Sequence, residues 1–149
     1  MDRMHVLLVE DNPADADLTR EGFASGTLPV DLSVTKSGLE ACDFIHKRGR
    51  YSSAVTPDLI LLDLNLPGLD GRAVLKEIKQ DAELRRIPVT ILTSSTADRD
   101  INQTYDLGAN CYLVKPIDFK SFRGIVNALE GFWFDTVKLP QTGADRGSC

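Results

Sequence analysis

Apolar and polar positions along this chain switch regularly between two periods. Short β-favouring runs occur at 5–9 (HVLLV), 30–35 (VDLSVT), 58–62 (DLILL), 89–93 (VTILT) and 111–114 (CYLV). Between them, apolar residues return every three or four positions, as on one face of a helix. Strand-like runs separated by helical segments are the pattern of βαβ units and predict a parallel sheet. The runs at 5–9, 58–62 and 89–93 are almost continuously apolar, as strands covered on both faces must be. VDLSVT alternates instead, which suits an edge strand.

The helical segments carry their own start and stop signals. Asn12 before Pro13 reads as an N-cap followed by a first helical residue, with Asp15 in the turn where the helix dipole favours an anion. A second helix is expected from Gly38 to about Lys47, ending near Gly49, with RGRYSSAVTP as a loop. Gly71 to about Gln80 and Asp98 to about Leu107 form the third and fourth, the latter with Gly108 as C-cap. A fifth begins at Asp118, and its stripe of Phe119, Phe122, Ile125, Val126 and Leu129 is expected to pack on the sheet. It continues into EGFWFDTVKLP. Phe132, Trp133 and Phe134 are consecutive, so they cannot all face inward from a helix; part of this aromatic group is expected on a partner surface, while one face of it caps the core.

The expected fold is α/β: a doubly wound five-stranded parallel sheet of order 2-1-3-4-5 with an extended C-terminal helix. Residues 1–134 form one domain and 135–149 an extension with a frayed tail. In such sheets ligands sit at the carboxyl ends of the strands, at the switch in strand order between the first and third.

Composition narrows the function. With 149 residues, 42% hydrophobic and 26% charged, the chain has the make-up of one soluble globular domain. A net charge of −5 argues against nucleic acid as the main partner. No apolar run approaches the ~20 residues of a membrane helix, and the N-terminus lacks the pattern of a signal peptide, so the expected location is cytoplasmic. Cys42, Cys111 and Cys149 have neither CxxC nor His spacing, which disfavours a disulfide framework or a zinc site.

The question is then why Asp63 interrupts the apolar stretch DLILLDLNLPGLDG, where burying a carboxylate is costly without a compensating partner. The first strand ends in Glu10 and Asp11, so three carboxylates are expected at the mouth of two adjacent strands. Their repulsion calls for a hard divalent cation; Mg²⁺, bound by two or three carboxylates and a backbone carbonyl just after Asp63, fits best. Thr93 and Lys115 stand where the fourth and fifth strands should end, Lys115 being followed by Pro116. Carboxylate, Mg²⁺, hydroxyl and ammonium make a phosphoryl-transfer set with Asp63 as acceptor. Taken alone, each has a plainer reading: Asp63 as a turn cap, Glu10 or Asp11 as a complement to the first helix, Thr93 as a strand residue, Lys115 as a surface lysine and Tyr112 as a β-favouring aromatic.

Four motifs in register, VLLVEDNPAD, DLILLDLNLPGLDG, VTILTSS and GANCYLVKPID, resemble the receiver domain of two-component response regulators of the stand-alone kind, over roughly residues 4 to 130. The resemblance implies Asp63 as phosphoacceptor. It implies Mg²⁺ held by Asp11 and Asp63 directly, by the Asn65 backbone carbonyl, and by Glu10 mainly through water. Thr93 and Lys115 would contact the phosphoryl group, and Tyr112 would be a switch aromatic coupled to Thr93. Such a protein is a signalling phosphoacceptor, not an enzyme beyond self-catalysed phosphoryl transfer and slow autodephosphorylation. Longer stretches, including GFWFDTVKLP, are similar to the regulators that partner cyanobacterial-type phytochrome histidine kinases, which implies such a kinase as phosphodonor and a homodimer formed through the extended C-terminal helix and the fourth-helix to fifth-strand face. Leu66 and Ser94 depart from the methionine and alanine often found at their positions.

Three rival functions compete with this reading. An aspartyl phosphatase of the haloacid-dehalogenase kind needs an acid two residues after the nucleophile, where this chain has Asn65. A flavin mononucleotide module needs a Ser/Thr/Gly-rich phosphate loop where this chain has EDNPAD. A dimerisation scaffold indifferent to phosphorylation is the remaining alternative.

Overall fold

A computed structural model describes residues 3–24, 29–94, 98–109 and 111–114. Strands β1 (Met4–Val9), β2 (Val30–Thr35), β3 (Leu59–Leu62), β4 (Val89–Thr93) and β5 (Cys111–Val114) form one parallel sheet in the order β2-β1-β3-β4-β5. Helices α1 (Pro13–Ala24), α2 (Gly38–Ile45), α3 (Gly71–Gln80) and α4 (Asp98–Asp106) connect them. The expected fifth helix, the Phe132, Trp133 and Phe134 group, Lys115 and the tail lie outside the described residues.

The nearly continuous apolar runs resolve into two faces with a period of two. Leu7, Val9, Ile60, Leu62 and Ile91 enter one core with Ala41, Cys42 and Ile45 of α2 and Val74, Leu75 and Ile78 of α3. Val6, Leu8, Leu59 and Leu61 point the other way and pack with Ala16 and Phe23 of α1. Each fully buried aliphatic side chain contributes roughly 1.5–3 kcal/mol, so these two clusters hold the sheet together. On β2, Val30, Leu32 and Val34 are only partly buried against the α1 side, while Asp31 pairs with Arg3 at 2.7 Å, as suits a sheet edge.

The expected Asn12 cap forms, and the structure adds N-caps at Ser37 and Asp70. Asn12 Oδ1 accepts from the N–H groups of Ala14 (2.9 Å) and Asp15 (3.2 Å). Ser37 Oγ caps α2 by accepting from Glu40 N, and Glu40 reaches back to accept from Lys36 N at 2.7 Å. Asp70 caps α3 through Arg72 N and Ala73 N. At its other end α2 stops at Ile45, two residues before the expected limit. There Lys47 takes a left-handed φ of 56°, Lys47 N–H bonds Phe44 O, and Arg48 N–H bonds Asp43 O, a Schellman closure that consumes the last carbonyls. Gly108 at φ 103° closes α4 in the same way, with Ala109 N–H on Thr104 O. The expected loop after α2 contains a single 3-10 turn, Gly49–Tyr51, pinned by hydrogen bonds from Tyr51 and Arg50 to the Glu40 carboxylate.

Candidate phosphoacceptor and metal site

The sheet ladder itself carries the acids to one place. Glu10 N–H bonds Thr35 O at 2.9 Å and Asp63 N–H bonds Val9 O at 3.1 Å, so both residues extend their strands by one rung before the chain turns away. β1 and β3 are neighbours, and their carboxyl ends lie at the switch in strand order. Glu10, Asp11 and Asp63 each present a carboxylate oxygen within 4.8 Å of the other two. Glu10 and Asp63 are buried, and Asp11 is exposed at the rim. An all-carboxylate set of this size suits a hard divalent cation and not zinc or copper, which favour nitrogen or sulfur.

Local hydrogen bonds fix the two buried acids. Glu10 Oε2 accepts from Asn12 N at 3.2 Å, and Asp63 Oδ1 accepts from Asn65 N at 3.0 Å. Thr93, the last residue of β4, is fully buried, and its Oγ1 accepts from the Asn65 side-chain amide at 3.3 Å. Thr93 therefore reaches the same loop as Asp63. Tyr112 pairs in register with Ile91, which puts it on the same sheet face as Thr93, one same-face position away. Its ring is half-buried against the α2/α3 core.

Two features at the site had no clear signal in the sequence. Gly71, the first residue of α3, lies so close to the acid loop that a Cβ there would stand 2.2 Å from the Asp63 carbonyl oxygen and 2.7 Å from Leu64 Cα. Gly71 N–H also bonds Leu64 O at 3.0 Å, so the helix start is fastened directly to the residue after Asp63. The other is the Asn65 side chain: the resemblance concerns its backbone carbonyl, and an amide contact with a residue 28 positions away is a product of the fold.

A buried acidic group, a divalent-cation set and a hydroxyl at the carboxyl edge of a doubly wound sheet define a receiver-type site. The family model described as the response regulator receiver domain matches residues 6–127. The chain belongs to that family. Among proteins similar to it is response regulator Rcp1 of Synechocystis sp., 45% identical over 135 residues, covering 91% of this chain and 92% of that one. Two solved structures are also similar. The phosphorylated cyanobacterial phytochrome response regulator RcpA has a TM-score of 0.85 at 45% identity, covering 93% of this chain and 99% of that one. The Mn²⁺-bound form of Rcp1 has a TM-score of 0.82 at 44% identity, covering 92% and 99%. The chain is thus a receiver protein related to phytochrome response regulators. Among the described residues no helix is long and apolar enough to cross a membrane.

Proposed function

We propose that this protein accepts a phosphoryl group on Asp63 from a sensor histidine kinase of the phytochrome type. The observation that carries the reading is the convergence of the Glu10, Asp11 and Asp63 carboxylates within 4.8 Å, beside the buried Thr93 hydroxyl. Asp11, Asp63 and the Asn65 carbonyl would hold Mg²⁺ directly, and Glu10 mainly through water. When bound, the ion neutralises charge on the phosphoryl oxygens. The Asp63 oxygen attacks phosphorus; the new O–P bond forms as the bond to the donor breaks, and that bonding pair leaves with the donor. The Asn65 N–H, donating to Asp63 Oδ1, holds the carboxylate in place. Thr93 donates its hydroxyl proton to a phosphoryl oxygen, and Lys115 supplies a positive charge to another.

Phosphorylation then shifts a pre-existing equilibrium in which Thr93 and Tyr112 move together, changing the affinity of the surface beyond them for a partner. Residues 1–134 form the receiver unit, and Phe132, Trp133 and Phe134 belong to the surface through which two copies associate. The phytochrome assignment draws on the similarity to Rcp1 and RcpA over nearly their whole lengths.

Intact-protein mass spectrometry after incubation with acetyl phosphate tests the central step. A single phosphate adduct that requires Mg²⁺ and is lost in Asp63→Asn is the expected result. Absence of an adduct while Mg²⁺ binds would overturn it and favour a dimerisation scaffold.

A further inference from the structure

The Asn65 side chain has a chemical consequence separate from its backbone. A hydroxyl has one proton and two lone-pair acceptor sites. Thr93 Oγ1 lies in a fully buried residue, out of reach of bulk water, and the Asn65 amide donates into one of its lone pairs. That arrangement leaves the Thr93 proton uncommitted to Asn65, and a donor on the oxygen polarises the O–H bond, making it a better donor in turn. The same residue donates its backbone N–H to Asp63 Oδ1 at 3.0 Å. Asn65 therefore touches both the acceptor carboxylate and the hydroxyl, linking the loop after β3 to the end of β4. Its own side chain projects from an exposed loop position, so nothing in the core depends on its bulk.

We infer that the Asn65 amide is a positioning residue that holds the Thr93 hydroxyl with its proton free for the incoming phosphoryl group. The inference rests on the proposed phosphoryl transfer to Asp63 and adds a residue to it. Asn65 acts through Thr93, so its contribution must vanish when the hydroxyl is gone. A carboxylate at the same place reverses the hydrogen bond: aspartate only accepts, so the Thr93 O–H donates to it and the hydroxyl's donor capacity is turned away from the site.

The test is a double-mutant cycle on the full chain with acetyl phosphate and Mg²⁺, following adduct formation by intact mass. The proteins are the unsubstituted chain, Asn65→Ala, Asn65→Asp, Thr93→Val and the two double variants, each checked for folding by urea unfolding. Asn65→Ala is expected to slow phosphorylation by about five- to tenfold, the worth of one neutral hydrogen bond, and to have no further effect on Thr93→Val. Asn65→Asp is expected to slow it more in the presence of Thr93 than in Thr93→Val, where only the added charge acts. Equal losses in both backgrounds, or no loss in Asn65→Ala, overturn the inference while leaving Asp63 as acceptor. Failure of the unsubstituted chain to form an adduct overturns the proposed function and this inference with it.

Discussion

Alanine at position 71 would place a methyl group 2.2 Å from the Asp63 carbonyl oxygen, 2.7 Å from Leu64 Cα and 3.0 Å from the Asp63 carbonyl carbon. Real Cβ atoms essentially never come within 3.0 Å of such neighbours. All three are main-chain atoms, so no flexible side chain can swing aside. Either α3 or the loop after β3 has to retreat by close to an ångström. Overpacking of this kind costs about 1–3 kcal/mol. Alanine's higher helix propensity offsets at most about 1 kcal/mol of that, and less at the first helical residue. A second effect is functional, because the displaced atoms belong to Asp63, the proposed phosphoacceptor, and to its neighbour. Misplacement of a reacting group by about 1 Å can lower a rate by about 10²-fold.

Urea unfolding and the acetyl phosphate rate measure the two effects separately. Gly68→Ala is the matched comparison: its φ is +73° with open space around it, so alanine there meets only the left-handed backbone cost of about 1–2 kcal/mol. Gly71→Ala is expected to lose both stability and rate, and Gly68→Ala mainly stability. A Gly71→Ala protein with unchanged urea midpoint and rate would refute the close approach of α3 to Asp63.

Thr35 is fully buried, and its Oγ1 has no hydrogen-bond partner among the described residues. Thr35→Val should therefore raise stability by about 1 kcal/mol in urea unfolding, since an unpaired buried hydroxyl costs roughly that or more. Charges within 4.8 Å repel by about 3 kcal/mol per pair at an effective dielectric of 20, less where solvent screens Asp11, so Asp63→Asn should stabilise the metal-free protein by about 1–3 kcal/mol. Mg²⁺ at a hundred times its dissociation constant should stabilise the unsubstituted protein by about 2.7 kcal/mol, and Asp63→Asn far less, as thermal melts across a Mg²⁺ series will register. Burial pushes the Glu40 carboxyl upward, but hydrogen bonds from Tyr51, Lys36 N–H and Arg50 outweigh it and hold the group below its ordinary value of 4.5. The native state thus favours the ionised form, so its stabilisation is present above that ordinary value and is lost as pH falls through the lowered one. Glu40→Gln should flatten that acidic part of a stability profile measured by urea unfolding.

Much of this architecture was legible from local patterns. Period-two and period-3.6 hydrophobicity located the described strands and helices, because a side chain's direction in either structure depends only on its position along the chain. Asn12 and Gly108 mark helix ends because their caps are made within a few residues. Lys47 is the exception: a lysine in a left-handed C-cap carries no signal that distinguishes it from one more helical residue, and the helix stops early.

Glu10, Asp11, Asp63 and Thr93 could be nominated from the sequence because each ends or follows a recognisable strand, and strand ends in a doubly wound sheet share one edge. What the chain order by itself determined was which residues stand at those ends. Only the tertiary structure decided how they meet: the carboxylates drawn to within 4.8 Å, the Asn65 amide on Thr93, and the missing Cβ of Gly71 against the Asp63 carbonyl. The physical reason is range. Periodicity and capping are interactions between near neighbours in sequence, whereas each of these contacts joins separate elements and exists only after the sheet has been assembled and the helices packed on it.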